Sequence, residues 1–404
     1  KRVCPILGTE RVCTPCRPCG LVSGWGGAGA FSDGKLTLSP EVGGHLVEYL
    51  GKEPTSALIE YVDKVYSRFG ACGETYGLGE KGEELRKRAS LAELRLFSMP
   101  VKHVGTERCR QMLKEMCQAL TPRVEIRHHT IASSILVRDG TVKGLKTASG
   151  ETLECRYLIL APGREGADWL AKEAQRLHLT LRMNPVDVGV RVEVPAAVLE
   201  ELTSVLYEAK LEFYSKTFDD RIRTFCMCPQ GEVTMESTAG ADPVTTVNGH
   251  SYANHNSNNT NFALLVSTAF TEPFHDPIGY GRYLARLANL LSGGVIVQRL
   301  GDLLEGRRST PERIRRGLVQ PSLRSATPGD LGSVMPYRHL KGIIEMLGAM
   351  NEMAPGVASR HTLLYGVEVK FYSSRLQLSS SLESEMANLF AAGDGAGVTR
   401  GLIQ

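Results

Sequence analysis

The chain lacks any apolar run long enough to cross a membrane as a helix, which takes about 18–20 residues. Its longest apolar runs, residues 157–161 and 261–270, are typical of buried strands. It also lacks a large excess of one sign of charge, since it has 47 lysines and arginines and 44 aspartates and glutamates, for a net charge of +3. We therefore expect no membrane and no nucleic acid among the partners, but a small-molecule substrate.

The first residues show no basic, apolar and small-residue succession, so we expect no secretory leader. The chain nevertheless has ten cysteines, and cysteines without a leader indicate a reducing compartment. The sequence therefore predicts a cytoplasmic protein, with a secreted disulfide framework as the alternative.

The chain is long enough for two to three domains, at about 150 residues per domain. Residues 40–120 have apolar spacings of three and four, which predict helices. Residues 123–162 alternate with period two and predict a meander with strands at 124–126, 135–137 and 142–145, feeding an apolar strand at 157–161 that should be buried on both faces. A similar strand at 389–392 runs into a glycine-rich turn, so two segments typical of a nucleotide domain bracket an insert.

Glycine is abundant, with 42 residues, and it is clustered. Residues 24–35 read GWGGAGAFSDGK and contain G-x-G-x-x-G, but no apolar strand precedes them and no amphipathic helix follows. They are therefore a poor dinucleotide fingerprint. A backbone of this kind suits close contact with a flat or anionic ligand, and the alternative is a flexible loop.

Two further glycine turns follow apolar strands. Residues 161–164 read APGR, and residues 389–401 read LFAAGDGAGVTRG. In the second turn Asp394 is placed to hydrogen-bond a polyol hydroxyl, and a helix beginning after it would aim unpaired N–H groups at an electron-rich ring. A purely structural turn is the alternative.

Four cysteines near the start, Cys4, Cys13, Cys16 and Cys19, include two consecutive C-x₂-C steps. Such spacing turns several sulfurs toward one centre and is typical of zinc or iron–sulfur ligands. Redox or disulfide chemistry and inert thiols are the alternatives. Cys226 and Cys228 should share one face of a strand, where we expect a buried pair rather than a site.

Three side chains are candidate catalytic groups. His250, in an asparagine-rich stretch, is a candidate proton donor. Lys370, on a strand, and Arg338, after a turn, are candidates to hold an anionic substrate or to protonate carbon. Surface positions or ion pairs are the alternative for each.

The order of the motifs resembles bacterial FAD-dependent dehydrogenases of largely uncharacterised function, which are related to the glutathione-reductase and fumarate-reductase flavoproteins. The resemblance rests on the cysteine-rich start, the turns at 24–35, 161–164 and 389–401, and stretches across the insert. Those stretches are residues 184–191, 223–229, 247–251 and 365–372.

The resemblance implies an α/β fold. A discontinuous, truncated Rossmann-like FAD/NAD(P)-binding domain would comprise residues 1–165 and 356–404, with an inserted α+β substrate domain at 166–355. It implies an FAD-dependent oxidoreductase that transfers hydride or electrons through flavin to or from an organic substrate, with NAD(P)H as a candidate donor. The alternatives are an electron-transfer flavoprotein that uses the cysteine centre and a non-catalytic FAD-fold binding protein.

The resemblance also implies which residues bind FAD, with Asp394 on ribityl or ribose hydroxyls. The implied residues lie in the three glycine turns: Gly26, Gly27, Ala28, Gly29, Ser32, Asp33, Gly34, Lys35, Ala161, Pro162, Gly163, Gly393, Asp394, Gly395, Ala396, Gly397, Thr399, Arg400 and Gly401.

One departure from the family pattern is that no pyrophosphate-binding G-x-G-x-x-G precedes the cysteines, and no helix follows Gly401. We therefore expect a fragment whose strands ending at Ala161 and Ala392 have no neighbour, and which binds FAD poorly on its own.

The cysteine hypothesis can be tested by elemental analysis. Protein expressed from the complete reading frame and purified without oxygen should contain zinc or iron near stoichiometric amounts, and Cys16→Ser should lose it. Metal-free protein with normal activity would instead place these thiols among the inert ones.

Overall fold

The structure is a computed structural model of the chain. It describes residues 23–31, 34–97, 99–182, 184–237, 243–251, 257–268, 276–371 and 374–404. No helix within these ranges is both long enough and apolar enough to cross a membrane.

The α-helices in the described ranges are α1 (Leu46–Leu50), α2 (Lys52–Arg68), α3 (Glu80–Leu91), α4 (Thr106–Leu120), α5 (Ala167–Arg176), α6 (Ala196–Leu206), α7 (Pro277–Ser292), α8 (Leu300–Leu304), α9 (Pro311–Arg315) and α10 (Tyr337–Met353). Short 3₁₀ turns cover Gly27–Phe31, Leu331–Ser333 and Asp394–Ala396.

The strands in the same ranges are β1 (Lys35–Thr37), β2 (Thr75–Tyr76), β3 (Arg95–Phe97), β4 (Val101–His103), β5 (Ala132–Arg138), β6 (Thr141–Thr147), β7 (Thr152–Glu154), β8 (Leu158–Leu160), β9 (Leu181–Arg182), β10 (Val186–Pro195), β11 (Lys210–Tyr214), β12 (Arg221–Cys228), β13 (Glu232–Ser237), β14 (Thr245–His250), β15 (Asn259–Thr268), β16 (Ile296–Arg299), β17 (Thr327–Pro328), β18 (Leu363–Lys370), β19 (Arg375–Leu376) and β20 (Leu389–Ala391).

The elements form two compact units, each made from separate stretches of chain. Unit 1 comprises Lys1–Glu74, Lys102–Asn184 and Tyr372–Gln404, and unit 2 comprises Thr75–Val101 and Pro185–Phe371. The chain is therefore a mixed α/β protein with several sheets. These units do not show whether residues 166–355 fold independently. The predicted division into residues 1–165 with 356–404 and residues 166–355 therefore stays a prediction.

Unit 2 is built on an eight-stranded sheet with the order β17-β16-β18-β10-β15-β12-β11-β3. Its central strand β10 reads VDVGVRVEVP, and period two places all of its valines on one face. These valines join the largest apolar cluster of the unit, which α6, α7 and α10 also line. The valines that form this face are Val186, Val188, Val190, Val192 and Val194.

The opposite face of the same strands is also buried, but it carries charged and polar side chains. The strand pairing places side chains of β10, β15 and β18 together on this face, and the hairpin β13–β14 packs against these strands. We call it the buried polar face. Its least exposed polar members are Asp187, Arg191, Glu193, Asn261 and Glu368.

Unit 1 contains the antiparallel meander β5-β6-β7, the parallel pair β8/β20 and the antiparallel pair β9/β19. The predicted strands at 135–137 and 142–145 are confirmed, because they lie within β5 and β6. The strand predicted at 124–126 is wrong. The chain is still turning there after α4, since the Val124 N–H donates to the Leu120 carbonyl, and Val124 is half exposed.

The strands ending near Ala161 and Ala392 pair with each other. Leu158 lies opposite Leu389, and Leu160 lies opposite Ala391, in parallel register. The expectation that these strands would have no neighbour is therefore wrong. The expectation that the apolar strand of residues 157–161 is buried on both faces is wrong for one face. Ile159 is 69% exposed, whereas Leu160, on the other face, is buried among side chains of the meander and α5.

The close spacing of β10 and β15 provides a test of the sheet. A Cβ at Gly189 would lie 1.8 Å from the Leu264 carbonyl oxygen, and both strands are fixed in a buried sheet. Gly189→Ala should therefore lower the free energy of unfolding by about 2 kcal/mol, measured by urea denaturation.

Gly348 is the matched control, because it lies on the exposed side of α10 and no described residue comes within 4 Å of its Cβ position. Gly348→Ala should raise the free energy of unfolding by about 0.5–1 kcal/mol. An unchanged unfolding midpoint for Gly189→Ala would contradict the described spacing of the two strands.

Candidate functional site

Two glycine turns meet where the parallel strands β8 and β20 end, since the carboxyl ends of parallel strands lie at the same edge. A Cβ at Gly395 would lie 2.0 Å from the Gly163 carbonyl oxygen, so the two turns are in direct contact. Gly163 and Gly393 have φ of +64° and +84°, and no atom of the described residues lies within 4 Å of either Cβ position. The structure thus unites residues 161–163 with 393–397 in a glycine cradle open on one side.

A charged pair lies on this cradle. The Arg164 Nε donates to Asp394 Oδ2 at 2.7 Å, and the two side chains are 58% and 31% exposed. Asp394 begins the 3₁₀ turn Asp394–Ala396, and Ala396 is buried beneath it. The sequence reasoning did not include Arg164 in the site, although its position directly after the Pro-Gly turn was a usable signal.

Residues 399–401, which follow the second glycine turn, are hydrogen-bonded to another part of the chain. The N–H groups of Arg400 and Gly401 donate to the Gly43 carbonyl, at 2.6 and 3.0 Å, and Thr399 forms a bridge with Gly44. The expectation of unpaired N–H groups at a helix start is therefore wrong at Arg400 and Gly401. The partner that the expectation missed is the Gly43 carbonyl, which lies just before α1 and is far from Arg400 in sequence.

The glycines of residues 26–34 pack against protein side chains. A Cβ at Gly26 would lie 2.5 Å from Leu113 Cδ1, one at Gly29 would lie 2.7 Å from Leu402 Cδ2, and one at Gly34 would lie 2.6 Å from Cys109 Sγ. Close packing alone therefore explains glycine at these three positions. Gly27 and Ala28 lie in the 3₁₀ turn Gly27–Phe31, Lys35 begins β1, and Ser32 and Asp33 lie outside the described residues.

The glycine cradle fits part of an FAD molecule. Its open glycine positions leave room for a ligand against the backbone, and a carboxylate suits ribose or ribityl hydroxyls. The guanidinium of Arg164 suits a phosphate oxygen. The fit is thus to the sugar and phosphate portions, on Gly163, Arg164, Gly393 and Asp394.

A second polar arrangement lies on the buried polar face of unit 2. The Arg191 guanidinium makes a two-point contact with Glu368, from Nε at 2.8 Å and from Nη2 at 2.9 Å, and both side chains are fully buried. Arg191 Nη1 donates to Asn261 Oδ1 at 2.8 Å. The opposed charge of Arg191 holds the pKa of Glu368 below its usual range against the effect of burial, and Arg191 stays protonated.

Lys370, a predicted catalytic residue, belongs to this arrangement. Its Nζ lies 3.1 Å from Glu368 Oε1 and 3.4 Å from Asn248 Oδ1, so it joins β18 to the hairpin. His250 ends β14, two residues after Asn248, and lies opposite Glu232. The structure therefore places two of the three predicted catalytic residues on neighbouring elements of unit 2.

Arg338 has different partners. It lies in the first turn of α10, is 56% exposed, and pairs with Asp220 while its guanidinium stacks 5.1 Å from the Phe218 ring centre. Asp220 raises the pKa of Arg338 through their hydrogen bond. Within the described residues, none of its hydrogen bonds or ion pairs involves the buried polar face, and a surface ion pair accounts for this residue.

The four cysteines predicted to bind metal, Cys4, Cys13, Cys16 and Cys19, lie outside the described residues. Within the described ranges, no three histidine, cysteine, aspartate or glutamate side chains are grouped to hold a metal ion. The metal prediction therefore stays a prediction.

Glu193 is a second buried carboxylate on the polar face. It accepts hydrogen bonds from the Tyr365 hydroxyl at 2.5 Å and from Asn259 Nδ2 at 3.0 Å. It has no cationic partner among these contacts, and burial raises its pKa above the usual range. Glu193 and Glu368 thus differ because only Glu368 faces a guanidinium.

The raised pKa of Glu193 predicts a specific pH dependence of stability. A carboxyl whose pKa is higher in the folded state stabilises the fold below its unfolded pKa of about 4.5, and this contribution is lost as pH rises through the folded pKa. The excess stability of wild type over Glu193→Gln should therefore decline as pH rises above about 4.5, measured by urea denaturation.

Glu200→Gln, on the exposed side of α6, controls for the loss of a carboxylate. A stability difference between wild type and Glu193→Gln that grows with pH would contradict the environment described for Glu193.

One stretch of the chain, within unit 2, matches a described protein family. Residues 185–371 match the family described as "FAD-dependent protein, C-terminal domain-like", which supports FAD as the cofactor. An uncharacterised protein of Clostridium beijerinckii is 26% identical over 405 residues, which cover 94% of this chain and 67% of that protein. The chain thus spans about two thirds of that relative.

Solved structures with weaker similarity include an oxidoreductase from Methanosarcina mazei, 11% identical, with 91% of this chain and 66% of that chain covered and a TM-score of 0.31. PqsL of P. aeruginosa is 10% identical, with 85% and 76% covered and a TM-score of 0.28. The flavin-dependent halogenase BrvH from Brevundimonas sp. BAL3 is 14% identical, with 50% and 40% covered and a TM-score of 0.20. TM-scores this low do not define a shared fold.

Proposed function

We propose that the protein is an FAD-dependent oxidoreductase that transfers hydride or electrons through flavin to or from a small organic substrate. The match of residues 185–371 to the FAD-dependent protein family carries the proposal. The glycine cradle supports it independently, because an open pair of glycine turns with an acidic side chain at a strand edge suits a nucleotide.

In this proposal the cradle binds the sugar and phosphate portions of FAD. Asp394 accepts hydrogen bonds from hydroxyl groups, and Arg164 neutralises phosphate charge while it orients the Asp394 carboxylate. Gly163 and Gly393 allow close approach of the ligand, since neither presents a side chain. Bound FAD would supply the hydride or electron chemistry, while the protein supplies orientation and electrostatics.

We propose that polar side chains of unit 2 bind the substrate and donate a proton to it. Arg191 and Lys370 place two positively charged side chains beside Glu368 on this face. Two cationic side chains so placed favour an anionic substrate such as a carboxylate. His250, on the neighbouring strand end, is the proposed proton donor.

An NAD(P)H electron donor, a cytoplasmic location and a zinc or iron–sulfur centre on the first cysteines remain further parts of the proposal. Each rests on the sequence pattern alone. The electron-transfer alternative depends on that cysteine centre, and the non-catalytic alternative would bind FAD without turnover.

Removal of Asp394 tests FAD binding. Asp394→Ala, in protein expressed from the complete reading frame, should weaken FAD binding by about 1–3 kcal/mol, or about 5- to 150-fold, because a charge-assisted hydrogen bond is lost. Flavin retained after dialysis, quantified by absorbance, measures the effect. Arg164→Ala should also lower retention.

Glu60→Ala, an exposed carboxylate on α2, is the matched control and should retain wild-type flavin. Unchanged flavin content in Asp394→Ala would exclude the cradle as the FAD site. A bound flavin that neither NADH nor NADPH nor an organic donor reduces without oxygen would favour the non-catalytic alternative.

A further inference from the structure

Cys226 and Cys228 lie at a bulge in β12, where the pairing with β15 shifts between Phe225 and Cys228. Alternate residues of a regular strand are separated by about 6.6 Å along the strand. Here Cys226 adopts φ of +46°, in the left-handed region, and the two sulfur atoms lie only 3.9 Å apart. The bulge therefore brings two thiols almost into contact.

The pair adjoins cationic side chains of the buried polar face. Arg191 Nη1 donates to the Cys226 carbonyl at 3.1 Å, and Lys370 Nζ lies 5.7 Å from the ring centre of Phe225. Arg223, which pairs with Asp187, and Lys210, which pairs with Glu208, also lie beside the Phe225 ring. A thiol beside positive charge ionises more readily and becomes the better nucleophile.

The two cysteines differ in exposure, which assigns them different roles. Cys228 is 1% exposed, whereas Cys226 is partly exposed. Asn261 lies opposite Cys228 in the strand register and is fully buried, and its Nδ2 makes no hydrogen bond to any described residue. An unused amide donor thus lies beside the thiol pair, where it suits a thiolate or a ligand's carbonyl.

We propose that Cys226 and Cys228 form a redox-active dithiol whose substrates are disulfides of low-molecular-weight thiols. The thiolate of Cys226 attacks one sulfur of the substrate disulfide, and the other sulfur leaves as a thiolate that takes up a proton. Cys228, after loss of its proton, attacks Cys226 Sγ and displaces the second thiol. One substrate disulfide is reduced to two thiols, and the protein dithiol is oxidised to a Cys226–Cys228 disulfide.

Glutathione disulfide is the probe. Reduced protein is incubated with it, quenched in acid and mapped by peptide mass spectrometry. Wild type should form the Cys226–Cys228 disulfide. Cys228→Ser should accumulate a glutathione mixed disulfide on Cys226, and Cys226→Ser should form neither product.

The rate of alkylation of each cysteine by iodoacetamide measures activation in wild-type protein, so it does not depend on whether a variant folds. Cys155 is the matched control, because it is also partly exposed and burial raises the pKa of its thiol. Cys226 should react about tenfold faster than Cys155 near pH 7. Equal rates, together with no Cys226–Cys228 disulfide, would overturn the proposal.

Lys370 should act as a positioning residue through its charge. Lys370→Gln should slow alkylation of Cys226 by about 3- to 10-fold without change at Cys155, and Lys370→Arg should restore the rate. Equal slowing in Lys370→Gln and Lys370→Arg would contradict the electrostatic role. The exchange requires no flavin, so its failure would leave the FAD proposal standing.

Discussion

The buried ion pair between Arg191 and Glu368 is the constraint on which the rest of unit 2 depends. Removing two charges from water is costly, and that cost is offset only if every donor and acceptor is matched. The guanidinium therefore engages Glu368, Asn261 and the Cys226 carbonyl at once. A Cβ at Gly249 would lie 2.1 Å from Arg191 Nη1, so the covering hairpin can approach only with glycine at that position.

This constraint links the sheet to the chemistry. The valine face of β10 packs like an ordinary core, while the same strand presents charge on its other face, so one element both stabilises the unit and assembles its polar groups. The bulge in β12 lies against that charge and brings two thiols within 3.9 Å. Unit 1 relies on a different arrangement, backbone contact between two glycine turns, and no other described residue fills the Cβ positions of Gly163 and Gly393.

The features that depend on local sequence could be predicted, because neighbouring residues alone determine them. Asp139-Gly140 fixes the hairpin between β5 and β6, and the glycine turns after the two apolar strands were found as a pair. The VDVGVRVEV pattern of β10 alternates valines with mostly charged residues, so it also contained a signal for the polar face. The bulge at Cys226 and the bonding of Arg400 and Gly401 to Gly43 depend on partners distant in sequence, which no local pattern reveals. For the same reason the sequence could not distinguish Lys370 from Arg338 as candidates. Lys370 pairs with the buried Glu368, whereas Arg338 pairs with Asp220 at the surface.

A double-mutant cycle on Arg191 and Glu368 tests the organising role of the ion pair most directly. The free energy of unfolding would be measured by urea denaturation for wild type, Arg191→Met, Glu368→Leu and the double variant. Each single variant leaves a buried charge without its main partner and should lose about 3–5 kcal/mol. The double variant should lose much less than the sum of the two. Strictly additive losses would contradict the account, because they would mean that the two side chains stabilise the fold independently.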